Sequence, residues 1–200
     1  SVVNNDSGVT ALYGSFFGLE GHQVDLYGGW FDANNVGVND AYYIGGRLAG
    51  DIMEAVAYKL ELAYQFSDDE QGPENEGLGV QAGVNYHPDM TYNPNVGFMY
   101  SYFEGDQNGG FRAMDGKTYG LLAESFFLGQ VANSHVFNLN GGFEPMEDVA
   151  WTADLNYLML DEEINNEDDA GFEIDSQIDY RFNDNLRTFL GGGIYWIGDA

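Results

Sequence analysis

The chain has 200 residues, 33 of them acidic against 6 basic, for a formal charge of −27. A field of that sign repels nucleic acid and no basic patch offsets it, so DNA and RNA binding are excluded. With no cysteine it has neither a disulfide framework nor thiolate metal ligands, and no run approaches the roughly 18 consecutive apolar residues of a membrane helix.

What the chain shows instead is alternation. From Gly77 to Pro88, Leu78, Val80, Ala82, Val84 and Tyr86 interleave with Gly79, Gln81, Gly83, Asn85 and His87. Period two means extended strand, because successive side chains point to opposite faces. The same pattern predicts strands at Gly8–Gly18, Gln23–Asp32, Ala41–Gly50, Ala57–Ser67, Gly77–His87 and Asn95–Glu104. Four more follow at His135–Glu144, Ala150–Leu160, Gly171–Phe182 and Asn185–Ile197. Their length, roughly 10 to 12 residues, is near what a tilted membrane strand requires.

The connections alternate in kind. Leu19–His22, Asp51–Glu54, Pro88–Pro94, Pro145–Val149 and Asn183–Asp184 are tight. Ala33–Asp40, Asp68–Glu76, Gly105–Ser134 and Asp161–Ala170 are longer and acidic or rich in Gly and Asn. Short periplasmic turns and long outward loops are the habit of outer-membrane barrels. The expected fold is therefore all-β: an antiparallel up-and-down transmembrane barrel, one region over 1–200. Residues 105–134 form a long outward loop, the expected constriction, carrying Arg112 and Lys117. An eleventh strand at Tyr119–Val131 would break the alternation, and a short helix at Ala113–Gln130 is the competing reading.

Ser1 opens no basic head or apolar core of a secretory signal, which points to a mature form or a fragment. Ten strands with long outward loops put both ends outside, whereas complete bacterial barrels usually begin and end in the periplasm. The expectation is a larger barrel, with strands before Ser1 and a closing strand after Ala200, or an unseen protein that completes it. Open edges in lipid leave backbone groups unpaired at a cost of several kcal/mol each.

Each strand has an oily row and a wet row. Tyr58, Leu60, Leu62, Tyr64 and Phe66 oppose Lys59, Glu61, Ala63, Gln65 and Ser67. Trp151, Leu155, Tyr157 and Met159 oppose Thr152, Asp154 and Asn156. Trp30, Tyr86, Trp151, Tyr180 and Trp196 fall near strand ends, where interfacial girdles sit. A soluble sandwich is the rival, though it favours more Val and Ile and shorter strands. Arg47, Lys59, Arg181 and Arg187 all fall on wet rows, as do Asp25, Glu61, Asp154, Glu173, Asp175 and Asp179. A charge facing lipid costs roughly 2–4 kcal/mol at mid-depth, which forces this placement. Two roles stay open for these cations: pairing with interior acids, or lining a path for an anionic solute.

No arrangement suggests an enzyme. His22, His87 and His135 lie in or beside turns without ligand-like spacing, and no Gly-x-Ser-x-Gly elbow occurs. Glu173 and Asp175 share a face about 7 Å apart, a spacing that ion pairing explains in a charged interior. Gly191-Gly192-Gly193 precedes no helix, so it reads as room for curvature or close approach and not as a phosphate loop. The acidic connections read as a solvated surface. The sharper alternative is calcium held where they meet lipid headgroups, although Asp161–Ala170 lacks the glycine of an EF-hand.

The last third of the chain is similar to a known family. Gly171-Phe172-Glu173-Ile174-Asp175, Tyr180, Asn185-Leu186, Leu190-Gly191-Gly192-Gly193 and Gly198-Asp199-Ala200 resemble the C-terminal part of alginate-export-type outer-membrane proteins. Phe143-Glu144-Pro145 and Leu155-Asn156-Tyr157 resemble its preceding hairpin, so the likeness covers Phe137–Ala200. It implies a large monomeric barrel passing a solute or polysaccharide. The family's alginate carriers are expected to have a strongly basic lumen, from which these acid-rich rows depart. The leading expectation is thus a passive channel in the bacterial outer membrane, without cofactor, in contact with bilayer and lipopolysaccharide. A plugged anchor for a cell-surface or electron-transfer assembly is the second reading. A secreted acidic calcium-binding β-protein is the third.

Overall fold

The computed structural model describes residues 7–33, 41–67, 76–105, 133–164 and 167–199. In chain order the strands are β1 (Ser7–Leu19), β2 (His22–Ala33), β3 (Ala41–Met53), β4 (Val56–Ser67) and β5 (Gly77–Tyr86). Then come β6 (Asn95–Phe103), β7 (Ser134–Met146), β8 (Val149–Ile164), β9 (Glu167–Asn183) and β10 (Leu186–Ile197). Each pairs antiparallel with the next in one ten-stranded sheet, of which β1 and β10 are the edges. Among the described residues there is no helix and no second sheet. The alternation therefore predicts the right fold, and among the described residues no second layer covers the apolar rows as a sandwich would require.

Local chemistry closes the short edge. Gly21 takes φ 75° in the β1–β2 turn, a backbone conformation that costs glycine little. At the β9–β10 turn, Asn183 Oδ1 accepts the Asn185 N–H at 2.9 Å, an Asx turn. One expectation fails: the acidic stretch Asp161–Ala170 is not a loop. β8 and β9 run through it with Ile164 opposite Glu167, so the hairpin stands well beyond its neighbours. β8 alone has 16 residues, about 50 Å at strand rise. The mispairing of inference and structure comes from charge: runs of Asp and Glu disfavour strand, yet hairpin pairing carries them.

Burial is inverted relative to a soluble domain. The buried apolar residues are Ala41, Ala63, Phe103, Val136 and Ala170, whereas Asp25, Gln65, Ser101, Asn156, Glu173, Asp175 and Asp179 are buried polar groups. On the opposite face Leu12, Leu26, Ile44, Leu62, Leu190 and Ile194 are 55 to 81 % exposed. We term the polar face inner and the apolar face outer. Aromatic rings flank the outer face at both edges. Trp196 stacks with Phe172 at 5.8 Å toward one, and Trp151 tilts on Phe143 at 5.3 Å toward the other. Ser176 interrupts the apolar row of β9, and Trp151 Nε1 donates to its Oγ at 2.9 Å. That bond keeps two polar groups of the outer face satisfied.

Candidate functional site

The inner face carries a polar ladder. Ser15, Asp25, Arg47, Glu61, Gln81 and Ser101 stand directly opposite one another across β1 to β6. Asp25 is fully buried. It accepts hydrogen bonds from Ser15 Oγ at 2.7 Å, Gln23 Nε2 at 2.8 Å and Arg47 Nε at 2.7 Å. Arg47 Nη2 pairs with it at 2.6 Å and donates to Tyr13 OH at 3.1 Å. Further along, Lys59 Nζ lies 2.8 Å from Glu61 and donates to Gln81 Oε1 at 3.0 Å. Two carboxylates and two cations thus cancel within one patch of wall.

Two tyrosines lie over this patch. Tyr27 is paired with Gly45, where an added Cβ would come 2.5 Å from the ring. The missing side chain lets the ring cross β3 and its OH donate to Glu61 Oε1 on β4 at 2.9 Å. Tyr13 stacks beside it, centroids 6.5 Å apart and planes 11° from parallel. Tyr13 remains 56 % exposed.

A second patch spans β7 to β9 and has a different character. Asn138, Asn156 and Glu173 form one cross-strand row; Asn140, Asp154 and Asp175 form the next. Asn140 Nδ2 donates to Asn138 Oδ1 at 2.6 Å, and Asn138 Nδ2 to Asn156 Oδ1 at 2.8 Å and to Asp154 Oδ1 at 3.2 Å. Asp154 faces Asp175 directly, and no described cation pairs with Asp154. Nearer the turn edge, Arg187 pairs with Asp179 at 2.8 Å, while Arg181 reaches Asp148 at 3.4 Å from an exposed position.

The expected wall residues therefore divide. Arg47, Lys59 and Glu61 are brought into the ladder, Asp154, Glu173 and Asp175 into the amide–carboxylate patch, and Asp179 and Arg187 into a rim pair. Arg181 shares their row but serves the turn. Arg112 and Lys117 lie outside the described residues, as do the alternatives at Tyr119–Val131 and Ala113–Gln130. The sequence reading passed over Tyr13, Ser15, Gln23 and Tyr27; Gln23 and Tyr27 share the parity and so the face of Asp25 on β2, whereas Tyr13 and Ser15 join it through the β1–β2 register. His135 is not the solitary residue its position beside a turn suggests. On the outer face it contacts Tyr100 OH at 2.8 Å and Asp161 at 3.3 Å, and Tyr102 OH donates to Asp161 at 2.9 Å. Among the described residues no group of three or more His, Asp or Glu is placed to hold a metal.

OccAB2 of Acinetobacter baumannii, a porin-like outer-membrane β-barrel, shares this fold. Its structure matches with a TM-score of 0.59 at 12% identity, over 94% of this chain and 50% of OccAB2. The chain thus spans half the length of that protein. No family model matches the sequence, and no curated protein does.

Proposed function

We propose that the chain forms part of the wall of a passive outer-membrane channel, its outer face in lipid and its inner face lining an aqueous path. The observation that carries this reading is the inverted burial: polar ladders packed inside, and an outer apolar face on which Leu12, Leu26, Ile44, Leu62, Leu190 and Ile194 are 55 to 81 % exposed. In water so continuous an apolar surface would drive association; against acyl chains it needs no cover. The edges β1 and β10 are paired in the bilayer by further strands, because unpaired backbone groups there cost several kcal/mol each. The finer assignment to an alginate-export-type protein rests on the C-terminal motifs. It is a proposal about architecture more than about alginate. Arg47 and Lys59 are engaged by Asp25 and Glu61, which leaves little net positive charge for a polyuronate on this wall. We assign no catalytic role to it.

Reconstitution of the protein in planar bilayers tests the reading. Stepwise ohmic conductance is expected, together with heat-modifiable migration in detergent gels. A protein that stays monomeric in buffer without detergent and never inserts would overturn it.

A further inference from the structure

Resting on the channel reading, we propose that the inner wall of β1 to β4 holds a subsite for a neutral saccharide, with the Tyr13–Tyr27 pair as its platform. A sugar ring offers one face of C–H groups, and an edge of hydroxyls that both donate and accept.

The platform suits the first. The two phenol rings are nearly parallel, 11° apart, and Tyr13 is 56 % exposed on the inner face of β1. An aromatic ring exposed in an aqueous lumen loses apolar hydration when a pyranose covers it. The pair is also built. Gly45 clears the space beneath Tyr27, Glu61 fixes its OH at 2.9 Å, and Arg47 fixes the Tyr13 OH at 3.1 Å. Both rings are thereby oriented before a solute arrives, which lowers the ordering cost of binding.

The rim suits the second requirement. Arg47, Lys59 and Glu61 stand beside the rings, each with roughly a quarter to a third of its side chain exposed: 33, 26 and 24 %. Guanidinium and ammonium donate, and the carboxylate accepts, so a vicinal diol finds partners for both roles. Charge chooses among ligands. Asp25 with Arg47, and Glu61 with Lys59, make two neutral pairs, so neither an anionic nor a cationic solute meets a net attractive field here. A neutral, hydroxylated, ring-shaped solute is the class left.

The test uses maltohexaose as probe, read two ways. Calorimetry in detergent micelles measures binding without requiring a pore. Current block in planar bilayers measures it in the conducting state. Wild-type protein is expected to bind maltohexaose and to be blocked by it, with polyethylene glycol of equal size and an anionic hexauronate at least tenfold weaker. Tyr13→Leu and Tyr27→Leu should each weaken binding about tenfold, the scale of one lost aromatic contact. Tyr13→Phe, which keeps the ring and forfeits only the OH, should stay within about threefold. Unchanged affinity in both leucine variants would overturn the subsite, as would equal block by polyethylene glycol or preferential binding of the uronate. Conductance without saccharide binding refutes the subsite alone. Absence of conductance with binding intact refutes the channel alone.

Discussion

Adjacent residues on β7 offer the sharpest test of which face meets lipid. Leu139 lies on the outer face, 47 % exposed, opposite Phe98 and Leu155. Asn140 lies on the inner face at the same depth, opposite Gly97 and Asp154. Leu139→Arg puts a cation among acyl chains near the middle of the strand, a cost of about 2–4 kcal/mol. Asn140→Arg loses one amide hydrogen bond to Asn138 but sets the guanidinium against Asp154, and should change stability by under about 1 kcal/mol. Urea titration of the protein folded into lipid vesicles reads both. With a slope near 2 kcal/mol per molar, Leu139→Arg should lower the midpoint by about 1–2 M while Asn140→Arg barely moves it. Were the outer face in water, an exposed leucine could become arginine within about 0.5 kcal/mol. Equal midpoints for the two variants would therefore refute the assignment of faces.

Asp25→Ala strands a partly exposed Arg47 and should destabilise by about 2 kcal/mol, and adding Arg47→Met should restore at least half of that in the same titration. Gly45→Val forces the Tyr27 ring off the wall and should cost about 1–3 kcal/mol; combined with Tyr27→Ala the cost should shrink, a non-additivity that a double-mutant cycle measures. Ser176→Ala leaves the Trp151 indole N–H without its partner, for a loss of about 0.6–1 kcal/mol and a shift in tryptophan emission. Asn133 holds φ 58° and bonds Glu162 through both ends of its amide, at 3.0 Å to the carbonyl and 2.5 Å from the N–H. Asn133→Ala should therefore speed hydrogen exchange at the outward end of β7 and β8 while leaving the turn edge unchanged.

Period two alone made ten strands and their two faces legible, because a one-residue slip would turn every oily side chain to the inner face. The row membership of Arg47, Lys59, Glu61, Asp154, Glu173 and Asp175 follows from parity. Which of them meet does not. Asp25 touches Arg47 across 22 residues, and His135 touches Asp161 across 26; such contacts depend on register, and register depends on turn lengths that composition leaves open. The tight turn at Glu20-Gly21 determines what stands opposite Asp25. The acidic hairpin escaped for a related reason. Propensity counts against Asp161, Glu162 and Glu163 one residue at a time, whereas backbone pairing to β9 acts on the hairpin as a unit.

The formal charge of −27 also conceals an asymmetry that matters for passage. On β2 to β4 Asp25 and Glu61 each have a cation within 2.8 Å. On β7 to β9 the one described partner of Asp154 is an amide, with Asp175 directly opposite it. A carboxylate held by an amide keeps its charge at the inner face, whereas one locked to arginine presents little beyond a dipole. On the proposed channel reading, a solute moving along this sheet would meet one wall through ring faces and hydrogen bonds and the other through a residual negative field. On that reading neutral solutes would use both walls, anions would be repelled from the second, and cations would gain only there. Selectivity then follows from where each acid finds its cation, not from the number of acids: substituting Asp154 should change ion preference, whereas substituting Tyr13 should change saccharide binding and leave ion preference as it was.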